Sequence, residues 1–303
     1  MELLRYWRVI FILVLVGLAL THREDALQII DTIRSAPPWL FFAALALVVI
    51  EFTLQAVRFK LVFERDWRET LRMYAVGHFA AFSFPSRALG EGARIAAFAK
   101  ELGVGAGDAA AYVSVERLMD VTVILAAAAL ILVNVNPLLG AIVAVLVVIG
   151  FTFLESDSVY AKIMEKNLPR IAVEYIERGR RIVKRRRLFL TLFAITVVLW
   201  AIDFYRMWLV LEVMGGSIDY VTVASLVSIA YILAVLSFLP GGLGAYEGGL
   251  VGGLVLHGVP HDIAIAATLY ERFFSYWFWI IVGALAGAKR EKGRPRSESS
   301  SGA

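Results

Sequence analysis

Two Glu-Arg pairs sit inside apolar stretches of this chain, Glu116-Arg117 and Glu271-Arg272, and the step from Glu116 to Glu271 is 155 residues. Their surroundings repeat as well. Ser83-Phe84-Pro85 is followed by Gly90-Glu91, and Ser237-Phe238-Leu239-Pro240 by Gly244 and Glu247. The steps are 155 residues from Pro85 to Pro240 and 156 from Glu91 to Glu247. Glu51-Phe52 and Asp203-Phe204 extend the pattern upstream at a step of 152. Guanidinium groups bind carboxylate or phosphate oxygens, and carboxylates accept cations or protons. A duplicated polar centre of this kind is the mark of a secondary-transporter type of fold.

Other chemistries find little support. His22, His78, His257 and His261 are scattered, and Gly258 and Pro260 keep the last two off one helix face, so no metal is expected. There is no GxSxG elbow, and Gly241-Gly242-Leu243-Gly244 lacks the lysine and hydroxyl of a phosphate-binding loop. No cofactor is expected, and no ATP-driven pumping. Cys is absent, which excludes disulfides and thiolate metal sites.

The elements that position these residues read as membrane helices. Hydrophobic residues make up 60% of the chain and the mean hydropathy is +0.74, against about 45–50% apolar residues in soluble domains. The apolar residues come in blocks such as 121–133, 138–154 and 188–200. Trp7–Leu20 has no small-residue cleavage pattern after it and reads as a span rather than a secretory signal. Basic residues crowd Arg58–Arg72, Lys162–Arg187 and Lys289–Arg296, whereas Asn134–Pro137, Gly215–Asp219 and Gly258–Asp262 have none. The positive-inside rule puts the first set, and both termini, in the cytoplasm.

The expected fold is therefore an all-α integral membrane protein with about six transmembrane helices, near residues 7–22, 38–57, 108–133, 137–154, 188–213 and 262–287. Two stretches, Met73–Ala99 and Val221–Leu256, are broken by Pro and Gly and read as re-entrant helical hairpins entering from opposite faces. They make an inverted-topology repeat, with repeat one at about 37–133 and repeat two at about 188–287. A basic helical cytoplasmic segment (157–187) separates the repeats within a single domain (1–288), followed by a disordered cytoplasmic tail (289–303). The basic run Arg178–Arg187 beside a membrane attracts anionic headgroups more simply than nucleic acid.

Breaks at membrane depth must be buried in protein or line a wet cavity. The half-helix after each break offers free N–H groups and a positive dipole end, a place for a carboxylate or phosphate. With two opposed hairpins, both ends are expected to converge on one point. The candidate binding residues are Arg87, Glu91 and Arg94 near the first break, Gly241, Gly242, Gly244 and Glu247 at the second, and Glu116, Arg117, Asp120, Glu271 and Arg272 on the following spans. Asp203 and Arg206 lie one turn apart on one span, and Glu51 and Arg58 on one face of another. A structural reading stands beside the functional one. Glu-Arg pairs also lock helices together, and Arg58, Arg87 and Arg94 also suit snorkelling to the interface.

Pro240–Glu247 reads PGGLGAYE. With Glu271-Arg272 downstream, and Pro85, Gly90-Glu91, Arg94, Glu116-Arg117 and Asp120 upstream, it resembles the transmembrane region of lysylphosphatidylglycerol synthases and the related stand-alone, flippase-like proteins, over about residues 5–288. The resemblance implies lipid handling. A translocase would bind an anionic or aminoacylated phospholipid, or a polyprenyl phosphate, with the arginines on the headgroup. The glutamates would balance them, contact a cationic portion or take up protons. No aminoacyltransferase domain is seen after residue 288, so lysyl transfer is not carried over and no enzymatic activity is expected. The alternatives are a lipid-modifying enzyme using Glu or Asp as base, a non-transporting membrane partner of a separate synthase or glycosyltransferase, and a transporter of small solutes. The expected setting is the cell membrane, multi-pass, with membrane lipids as partners, no nucleic acid, and room for a homo-oligomer or a separate lipid-modifying enzyme.

Overall fold

The computed structural model describes residues 23–83, 87–135, 169–237 and 242–279, together with 138, 141, 142, 145 and 281. Every element among them is helical: α1 (Arg23–Ser35), α2 (Pro38–Phe63), α3 (Trp67–Ser83), α4 (Arg87–Leu102), α5 (Ala106–Val135), α6 (Arg170–Lys184), α7 (Arg186–Val213), α8 (Tyr220–Leu236), α9 (Ala245–Leu256) and α10 (His261–Arg272). α10 passes into a π-helical turn at Phe273–Trp277. The spans expected at about 7–22 and 137–154, and the tail, lie outside the described residues apart from the isolated positions.

Local sequence explains the main boundaries. Pro38 opens α2, where its missing N–H costs nothing, and Glu64 ends it in a left-handed conformation, φ 52°. Asp219 starts α8 by accepting from the Thr222 N–H at 3.0 Å. α2 has 26 residues and α7 has 28, about 39 and 42 Å of helix. Both are long and apolar enough to cross a bilayer, with mean hydropathy of 2.2 and 2.1 over their most apolar stretch.

The order of helices occurs twice. A long helix (α2, α7) leads to a helix of 17 residues (α3, α8), a break, a shorter helix (α4, α9) and a final helix carrying Glu-Arg (α5, α10). In each half the two helices beside the break pack on one another. A Cβ on Gly90 would lie 2.1 Å from the Ala81 carbonyl oxygen, so only glycine lets α4 approach α3 there. At the second break Gly242 has φ +69°, and a Cβ would meet that of Ala234 on α8 at 2.4 Å.

The buried apolar residues form one cluster within the first half and one centred on the second half that also takes in Leu40 of α2 and Ala127 of α5. Phe59, Met73, Tyr74, Phe98 and Tyr112 pack together in the first. Met207, Val227, Leu250, Leu254 and Ala267 do so in the second. The halves then interlock. Ser225 of α8 donates to the Ala127 carbonyl of α5 at 2.8 Å, and Trp279 beyond the π-turn stacks on His78 of α3 at 5.0 Å between ring centroids. α2 and α7 run antiparallel along a shared seam, because Arg58 bonds Thr196 whereas the earlier Glu51 bonds the later Arg206.

Candidate functional site

Along the α2–α7 seam the described ion pairs fall into two sets with no common member. The first is built on Glu116. Its carboxylate accepts from Arg94 Nη2 at 2.8 and 3.0 Å, and pairs with Arg58 Nη2 at 2.7 Å and Arg117 Nη2 at 3.4 Å. Asp120, one turn on, takes Arg58 Nη1 at 3.2 Å and Arg117 Nη1 at 3.0 Å. Glu91, in the second turn of α4, pairs with Arg117 at 3.1 Å and Arg94 at 3.4 Å. Neutral polar groups surround the set: the Tyr74 hydroxyl donates to Gln55 at 2.9 Å, Thr196 accepts from Arg58 at 2.8 Å, and the Trp200 indole donates to Asp120 at 3.4 Å.

The second set centres on Arg206. Its Nε and Nη2 each donate to Glu271 at 2.8 Å, a bidentate grip. Nη1 also holds Glu51, and Nη2 holds Asp203. Beside it, Arg272 donates through Nε to Glu247 at 2.6 Å and lies over the Tyr246 and Tyr276 rings at 4.4 and 5.1 Å. Glu247 also accepts the Gly244 N–H at 2.6 Å, closing the first turn of α9. The π-turn directly after Arg272 sets the register that places Tyr276 under its guanidinium.

The sequence duplication thus becomes geometry. In each half, the arginine of Glu-Arg reaches the glutamate that follows the break (Arg117 to Glu91, Arg272 to Glu247). The glutamate of Glu-Arg turns to an arginine on the long helix (Glu116 to Arg58, Glu271 to Arg206).

Several expectations change. Arg58 and Arg94 do not snorkel: they are 3% and 0% exposed and bind carboxylates inside the protein, because the buried Glu116 and Asp120, with half-buried Glu91, hold them more firmly than an interface. Glu51 and Arg58 share a face, as spacing predicts, yet serve different sets, since α7 crosses that face antiparallel. The polar groups do not gather at one point. They form two sets separated along α2 by the seven residues from Glu51 to Arg58, about 10 Å of helix. The last span is not a uniform α-helix but changes to π geometry after Arg272. The Arg87 side chain and Gly241 lie outside the described residues. Gly242 and Gly244 form the positive-φ turn before α9. The candidate residues lacked Arg58, Arg206, Glu51 and Asp203. Asp203 and Arg206 carry a local signal, since they pair one turn apart, whereas the partners of Arg58 and Glu51, and the bond of Arg206 to Glu271, lie 58 to 155 residues away.

Residues 6–283 match the description lysylphosphatidylglycerol synthase TM region. The chain belongs to this family. A UPF0104 membrane protein of Methanothermobacter thermautotrophicus is 23% identical over 275 residues, covering 82% of this chain and 82% of that protein. A shorter match of the same description and organism is 25% identical over 123 residues, 41% of this chain and 36% of the relative. A UPF0104 membrane protein of Pyrococcus horikoshii is 28% identical over 131 residues, 43% of this chain and 39% of the relative. In these two shorter matches the chain spans under two-fifths of the relatives' length. Family and apolar helices together make this a membrane protein of a family named for lipid metabolism.

Proposed function

We propose that the chain is a lipid translocase of the flippase-like type, without a catalytic reaction of its own. The observation that carries this reading is the matched pair of buried charge sets on the seam between α2 and α7. One intramembrane ion pair serves to lock helices. Two sets in corresponding places of two helix series, on an antiparallel pair of repeat-related helices, support an inverted repeat in which either half can open toward one leaflet. In that arrangement α3–α4 and α8–α9 are the re-entrant hairpins, one from each face. Residues 157–187 lie on the cytoplasmic side with both termini, in the cell membrane.

The two sets suit the two ends of a polar headgroup. Arg58 and Arg94 are buried, and the Nε of each has no hydrogen-bond partner among the described residues, which leaves donors for a phosphate oxygen in the first set. The second set has carboxylates in excess, Glu51, Asp203, Glu247 and Glu271 against Arg206 and Arg272, and suits the cationic portion. The acyl chains stay in lipid while the headgroup passes.

The test is leaflet exchange of labelled phosphatidylglycerol, aminoacylated phosphatidylglycerol and a polyprenyl phosphate in proteoliposomes. Glu247→Gln and Glu271→Gln are expected to slow exchange of the transported lipid by about tenfold or more, with unchanged elution on size exclusion. No exchange with any lipid by folded wild type would overturn the reading. A chemically altered lipid would replace it with an enzymatic one.

A further inference from the structure

The α6–α7 junction has no part in the two charge sets, and its two faces differ sharply. The inner face of α6 is packed: Ile182 and Val183 are buried with Val115 and Met119 of α5 and Leu192 of α7. Arg178 donates to the Val62 carbonyl at 3.3 Å and lies 5.6 Å over the Phe63 ring. The missing Cβ of Gly107 lets the Ile171 carbonyl come within 2.5 Å of where it would stand, so α6 is tied tightly to the start of α5.

The outer face is exposed and cationic. Arg170, Arg181, Lys184, Arg185, Arg186 and Arg187 are all exposed, with Glu177 as the exposed acid among them, and the apolar side chains of Ile171 and Tyr175 are exposed beside them. Four of these cations are consecutive. Two of them, Arg186 and Arg187, stand in the first turn of α7, which holds no acidic residue. Cations at a helix N-terminus oppose the helix dipole, so α7 itself gains nothing from them. α7 is long and apolar enough to cross a bilayer and starts at Arg186, which puts this cluster at the level of a membrane surface if it does cross. Cations there with aromatic and aliphatic neighbours match an anionic leaflet, whose phosphates meet the charges while Tyr175 and Ile171 enter the interface.

We infer that the outer face of α6 and the Lys184–Arg187 junction form a docking surface for anionic phospholipid, separate from the buried charge sets. It needs only a membrane location and does not depend on transport. Since Val115 and Met119 flank Glu116 on α5, lipid held on α6 bears directly on the helix that carries the first set.

Native mass spectrometry of the detergent-purified protein tests this. The full chain is incubated with equal amounts of phosphatidylglycerol and phosphatidylcholine, and the bound lipids are counted. Wild type is expected to hold phosphatidylglycerol in at least about fivefold preference, the enrichment one well-placed cation brings at an anionic surface. The variant R181Q/K184Q/R185Q/R186Q/R187Q should bring the preference close to one. The charge-keeping variant R181K/R185K/R186K/R187K should retain it, which separates loss of the surface from loss of folding. A preference unchanged by the glutamine substitutions would overturn the inference and place the anionic lipid elsewhere. A wild type with no preference would also overturn it, leaving a protein partner as the occupant of this face.

Discussion

In the first half of the molecule three guanidinium groups, on Arg58, Arg94 and Arg117, face three carboxylates, on Glu91, Glu116 and Asp120. In the second half two, on Arg206 and Arg272, face three of that half, on Asp203, Glu247 and Glu271, and a fourth, Glu51, which reaches across from α2 of the first half. The helix order and the pairing scheme are the same, so the repeated fold dictates where charges meet. Their balance is left free. Sharing differs too. Glu116 is held by three arginines, so removing one leaves it paired. Arg206 alone holds three acids, so its loss leaves all of them bare. The first set distributes its charge, and the second hangs on one residue.

The comparison would break most readily at that residue. Arg206→Met leaves Glu51, Asp203 and Glu271 without their cation and should destabilise the protein by about 3–5 kcal/mol. It is expected to abolish the monodisperse peak in fluorescence-detected size exclusion. Arg58→Met, whose acids keep Arg94 and Arg117, should keep that peak at a reduced melting temperature. Equal damage from both would refute the difference in sharing.

A reciprocal effect is expected for the carboxylates. Glu116→Gln strips the shared anion from three arginines and should cost about 2–3 kcal/mol. Glu271→Gln removes one of three acids on a single cation and should cost about 1 kcal/mol or less. Thermal denaturation followed through the seven tryptophans would rank the two, and a reversed order would show that the charge count does not govern stability.

The breaks allow a smaller comparison. Gly90→Ala puts a methyl 2.1 Å from a backbone carbonyl and should cost about 1–3 kcal/mol by overpacking. Gly242→Ala adds a positive φ of +69° to a 2.4 Å contact and should cost at least as much. Gly248→Ala on α9 meets nothing within 4 Å and should leave the melting temperature unchanged or slightly raised.

The smallest effect belongs to the outer pairs. Arg117 and Glu91 are 38% and 30% exposed at their side chains, against 6% and 21% for Arg272 and Glu247. Solvent screening should hold the stability change in Glu91→Gln to about 0–1 kcal/mol. Glu247→Gln should shift the melting point more, since its arginine is buried against Tyr246 and Tyr276.

How much of this was legible beforehand varies residue by residue. The bounds of α5 and α7 and the start of α2 follow from apolar blocks ended by Pro, charge or Gly, which act over a few residues, whereas α2 runs past the expected end near residue 57 to Phe63, since Arg58 finds buried acids there. The pairing of Glu116 with Asp120 on one face follows from helical periodicity, and Arg58 spans both. The bond from Arg206 to Glu51 had no local signal, since 155 residues separate them. Arg94 looked as suited to an interface as to a core, because a long cationic side chain reaches either.

A helical membrane chain, the duplication of its polar residues and its family could all be read from the amino acids alone. Each of these is written in composition, periodicity or motif spacing. The division of the charges into two sets, the antiparallel course of α2 and α7, and the hold of Arg206 on three acids came from helix packing. Those outcomes depend on which helices pack side by side, and a buried charge takes its partner from the neighbouring helix rather than from its own sequence.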